Sequence, residues 1–114
     1  MTVMECYKAA GEDYAAVLAR FGSAEMVAHF CRRFLEDRSF ADLTEAMERQ
    51  DAVSSFRAAH TLKGICLNLG FSTLGSAASD LTERLRSGTL DGSAADYARV
   101  VSAYRALRTA FDGV

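Results

Sequence analysis

The sequence predicts an all-α protein: an antiparallel four-helix bundle preceded by short extra amino-terminal helices. Three observations carry this expectation. No proline occurs in 114 residues, against an average usage of about 5%, so nothing in the chain forbids long helices. Breaks built from glycine and short polar capping residues recur along it. Between them, apolar side chains return at three- and four-residue steps, the period of a helix with one buried face.

Taken in order, Thr2 and Glu5 have capping-box spacing and open a short helix that ends before Gly11. Residues 13–20 form a second short helix closed by Gly22. Ser23 caps a helix over 24–36 in which Val27, Phe30, Cys31, Phe34 and Leu35 face the core while Arg32, Arg33 and Glu36 face water. His29 falls near the wet side with no lysine or glycine partner and reads as an ordinary surface residue. Ser39 is expected to cap a helix of about ten residues, with Leu43, Ala46 and Met47 inward. Asp51 caps the central helix, which runs to Leu69 and stops at Gly70. Ser72 opens the next, striped by Leu74, Ala77, Ala78, Leu81 and Leu85, and Ser87-Gly88 with Asp91-Gly92 breaks the chain again. Ser93 caps the last helix, whose inner face holds Tyr97, Val100, Val101, Tyr104, Leu107 and Phe111 while Arg99, Arg105 and Arg108 face solvent. Short loops between the long helices give an antiparallel bundle, with the amino-terminal segments across one end.

Composition narrows the functional classes. Residues 1–114 suit a single domain with one core. Half the residues are apolar, and 13 basic and 15 acidic side chains are interspersed for a net charge of −2. No basic stripe is present, so nucleic acid is not an expected partner. Cys6, Cys31 and Cys66 are odd in number, widely spaced and without a CxxC pair. They suit reduced thiols packed as small hydrophobes, with neither a metal site nor a disulfide framework. A metal- or haem-binding bundle would need inward-facing ligands, and both histidines fall on wet faces. The amino terminus lacks a charged segment followed by an apolar run, and no stretch approaches the ~18 apolar residues of a membrane span. A cytoplasmic, soluble monomer is expected, with no membrane partner.

Function is concentrated in His60-Thr61-Leu62-Lys63-Gly64. Stepping about 100° per residue from His60 puts Leu62, Ile65, Cys66 and Leu69 on the far, core-facing side, beside Ala58 and Ser55. His60 is therefore wet, and Lys63 and Gly64 sit one turn along on its side. The segment Ala58-Ala59-His60-Thr61-Leu62-Lys63-Gly64, followed by Asn68-Leu69-Gly70 and a Leu74–Leu85 helix, resembles the histidine-containing phosphotransfer (HPt) domains of bacterial and eukaryotic phosphorelays. The family motif, His-x-x-Lys-Gly with a later glycine, is met at His60, Lys63, Gly64 and Gly70, within a resemblance running from about Met26 to Gly88.

The resemblance implies a two-component phosphorelay protein, here expected in a bacterial setting. It would accept a phosphoryl group on His60, as phosphohistidine, from a receiver-domain aspartyl phosphate and pass it to another receiver. The implied partners are response-regulator receiver domains and a hybrid sensor histidine kinase. No cofactor is implied for this chain, since the Mg²⁺ of such transfers is expected on the receiver's carboxylates. Autonomous kinase activity is not expected, because no Gly-rich nucleotide loop is present. The alternative is an inactive helical adaptor that binds receiver or kinase domains without phosphotransfer.

Chemistry supports roles for the neighbours of His60. Lys63 can set its ammonium beside the oxygens of a transferring phosphoryl group. Only Lys8 and Lys63 are lysines, against eleven arginines, and a compact, mobile charge suits a moving group. Gly64 costs about 1 kcal/mol relative to alanine within a helix. Two reasons are open: clearance for the phosphoryl group and partner, or close approach of a neighbouring helix. Phe56 and Leu67 fall within about 40° of His60, with Val53 close by and Arg57 and Asn68 as polar edges. This apolar rim is either a receiver-docking surface or, at Phe56 and Val53, a patch covered by the amino-terminal helix. One departure stands out. Some family members carry a glutamine on the following helix, near the phosphorylated histidine, and at that separation this chain has Thr82, whose hydroxyl reaches less far.

Overall fold

The computed structural model describes residues 1–114 and is helical throughout its regular structure. Seven helices follow one another: α1 Val3–Ala10, α2 Tyr14–Phe21, α3 Ala24–Glu36, α4 Ser39–Glu48, α5 Ala52–Asn68, α6 Ser72–Leu85 and α7 Ala94–Ala110. Several helix starts carry the caps the sequence predicts, and Asp13, expected inside the second helix, caps it instead. Thr2 and Glu5 bond reciprocally as a capping box, and Asp13, Ser23 and Asp51 each accept the backbone N–H three residues on. Gly11, Gly22 and Gly70 take left-handed backbone angles just past their helices. At Gly70 the close approach of Val17 adds a second reason for a residue without a Cβ.

Two predicted caps are corrected. Ser39 is the first residue of α4, buried, and its N–H is bonded by the Asp37 carboxylate at 2.8 Å, so aspartate does the capping. Ser93 stands at the N-cap position of α7, but its hydroxyl donates to the Leu90 carbonyl at 2.6 Å and bonds no N–H of the helix. In α6 the Thr73 N–H finds a remote partner, the Glu12 carboxylate between α1 and α2.

Helices α4, α5, α6 and α7 pack in succession, and a parallel Phe40–Tyr104 stack with centroids 3.8 Å apart closes α7 back onto α4. Small residues are buried along both α5 and α6: Ser55, Ala58 and Ala59 from one helix, and Gly75, Ala78 and Thr82 from the other. A Cβ on Gly75 would come within 2.8 Å of the Leu67 side chain, so α5 and α6 lie close. The short helices α1 and α2 cover one end, as predicted, and α3 packs with them. Tyr7 of α1 is fully buried there, packed against Tyr14, Phe71 and Phe111, and its hydroxyl donates to the Leu69 carbonyl at 2.6 Å. From α3, Phe34 contacts Phe71 and Tyr104. Cys6, Cys31 and Cys66 are free and buried, and burial pushes the Cys66 thiol up to about 12, so it stays protonated and packs as an apolar group. No helix is long and apolar enough to cross a membrane.

Candidate functional site

The middle of α5 presents His60 to solvent, opposite the buried Ala58, Ala59, Leu62 and Cys66. The predicted stripe holds except at Ile65, which is half-buried on a groove wall. The imidazole has one ordered neighbour: the Phe56 ring, one turn earlier, lies parallel within 8° at a centroid distance of 6.0 Å. Neither the His60 side chain nor that of the half-buried Lys63 enters any hydrogen bond or ion pair of the fold. Both imidazole nitrogens are thus open to a reacting group, and the ammonium is uncommitted.

His60 forms a ridge between two unlike flanks. Toward α6 lie Phe56, Lys63 and Leu67. Phe56 is half-buried under the Arg86 guanidinium, whose carbon is 5.2 Å from the ring centre. Arg86 is in turn gripped by Glu83 through two hydrogen bonds of 3.1 and 2.9 Å. Those bonds, and the charge behind them, hold the Glu83 carboxyl below the usual carboxylate range, with Lys63 and His60 adding smaller effects in the same direction. Glu83 therefore lies within electrostatic reach of the site.

Toward α3 and α4 lie Arg57, Gly64 and Asn68. Gly64 and Asn68 line an open groove of about 1130 Å³ between α5 and α3, faced by His29, Phe30 and Arg33. A Cβ built on Gly64 would meet nothing within 4 Å. No helix approaches there, so close helix packing is not why the glycine is present. Arg57 sits on the α4 side, beside Asp42 and Thr61. The Asn68 carbonyl accepts a hydrogen bond from Arg20 of α2 at 2.5 Å.

The amino-terminal helix does not cover the rim. Val53 is 55% exposed and Leu67 48% exposed, and the side chain over Phe56 is Arg86 of α6. Thr82 is fully buried and donates its hydroxyl to the Ala78 carbonyl at 2.7 Å, a bond within its own helix. It offers nothing to His60. Thr82 therefore has no free donor for the site, and His29 is exposed, as expected of an ordinary surface residue, on the wall of the groove that Gly64 also lines.

Sequence reasoning passed over Glu83 and Arg86. The signal was available, since Arg86 lies one helical turn beyond Thr82 and so shares its edge of α6.

Comparison with known proteins agrees with the architecture. No curated protein and no solved structure matches the chain. The family model of the Hpt domain matches residues 24–111, from the first residue of α3 to the cap of α7, and the chain belongs to that family.

Proposed function

We propose that this protein is a phosphorelay carrier in which His60 takes a phosphoryl group from a receiver-domain aspartyl phosphate and gives it to another receiver. The observation that supports this most directly is an exposed imidazole with both nitrogens unbonded, one turn from an unpaired lysine, in a chain of the Hpt domain family.

Transfer needs little from the bundle. The lone pair of one imidazole nitrogen attacks phosphorus, the P–O bond to the aspartate breaks, and the carboxylate leaves with its electron pair. Lys63 meets the charge on the phosphoryl oxygens, for which no internal partner has to be displaced. Open space at Gly64 gives the receiver backbone room to close on His60. Val53, Phe56 and Leu67 supply the apolar centre of the docking surface, and Arg57 and Asn68 its polar edges. Passing the group on is the same step reversed toward a second receiver.

The test is phosphoryl transfer from an acyl-phosphate-charged receiver to purified protein. Wild type should acquire acid-labile, base-stable label, His60→Gln should acquire none, and Lys63→Ala should be slowed about 10- to 100-fold, the loss of one charge-stabilising contact. Receiver binding without label in wild type would instead establish an adaptor.

A further inference from the structure

A chain of contacts leads from the end of α6 to the imidazole: Glu83 grips Arg86, Arg86 lies on Phe56, and Phe56 is parallel to His60. The Arg86 and Glu83 side chains are 56% and 61% exposed. An ion pair so wet is weakly held and can change partners. Thr82 is closed to the site by its bond to Ala78, so the next donor on that edge of α6 is the Arg86 guanidinium. That donor is already taken by a carboxylate.

We propose that Glu83 is a positioning residue that sets how firmly His60 holds a phosphoryl group, by competing with the phosphoryl oxygens for Arg86. The inference rests on His60 as the phosphoryl acceptor.

A phosphoryl group on His60 brings negative charge to a face where Glu83 already draws on the same cations. The carboxyl is held below its usual range by Arg86 first and by Lys63 and His60 after it. Any guanidinium turned toward the phosphoryl group must loosen its two bonds to Glu83, and any left in place leaves the phosphoryl group with Lys63 alone. Either way the phosphorylated state is less stable than the surrounding cations alone would make it. For a carrier this is useful, since a group bound too deeply cannot be passed on.

The experiment loads the full chain with phosphoramidate. The imidazole lone pair attacks phosphorus, the bond from phosphorus to the amino group breaks, and ammonia leaves with a proton. Label retained by His60→Gln measures any share on His29 and is subtracted. The half-life of phosphohistidine at His60 is then followed. Glu83→Gln should lengthen it about three- to tenfold, the size of effect expected when a nearby surface charge is removed, and Arg86→Gln should shorten it. Added salt should shrink both differences. An unchanged or shortened half-life in Glu83→Gln overturns the proposal. Thermal melts of both variants, expected to stay near wild type because the pair is exposed, separate this from unfolding. Phosphoramidate bypasses the receiver, so failure of receiver transfer and failure of the Glu83 effect are read independently.

Discussion

Gly64 shows most clearly how one residue trades stability for access. It lies mid-helix, has ordinary helical geometry, and faces open space where a Cβ would meet no atom within 4 Å. In the isolated protein Gly64→Ala should therefore stabilise by about 0.5–1 kcal/mol, the helix-propensity difference, readable as a higher midpoint in urea. Phosphotransfer should nevertheless fall, because the methyl group meets the docked receiver. A variant both more stable and equally fast would remove clearance as the reason for glycine. His60, Lys63 and Gly64 were legible in the sequence because their mutual placement is a property of one helix, fixed by residue spacing. Glu83 and Arg86 were not, because their place beside Phe56 depends on how α6 slides along α5. That register is set by Gly75 against Leu67, a fit between two helices that no single-helix pattern contains.

At the scale of elements, helix starts were legible, but the bonding at two of them was not. Asp37 in place of Ser39 at α4, and the Ser93 hydroxyl turned back to Leu90 at α7, are the two cases; the Glu12 carboxylate that reaches α6 across 61 residues leaves its predicted start at Ser72 correct. The turn between α4 and α5 holds a different irregularity. Gln50 has a φ of 58°, the only non-glycine residue in the left-handed region, while Asp51 N–H bonds back to the Ala46 carbonyl. This is the helix-ending geometry that glycine adopts without strain. Gln50→Gly should raise stability by about 0.5–1 kcal/mol, measured by thermal unfolding, and leave phosphotransfer unchanged because the turn lies at the far end of α5 from Gly64. A drop in stability would mean that the Gln50 side chain contributes more than its backbone strain costs.

For the whole molecule, the decisive long-range element is α1. Its Tyr7 hydroxyl is buried and pushed above its usual titration range by burial, and it spans 62 residues to reach the Leu69 carbonyl. Tyr7→Phe keeps the ring among Tyr14, Phe71 and Phe111 but strands that carbonyl, so a loss of about 1–3 kcal/mol is expected in denaturant unfolding, with an unchanged denaturant slope. The sequence indicated that amino-terminal segments lie across one end of the bundle. It could not show that Tyr7 is what fastens them, since a lone tyrosine in an eight-residue helix carries no periodic signal. Synthesis on the ribosome puts this arrangement in order of time. Helix α1 is made before α7, yet the aromatic seat it needs is completed by Phe111, at the cap of α7. The earlier helix must wait, unanchored, for the later one, and the closing of that end is what gives α1 its seat.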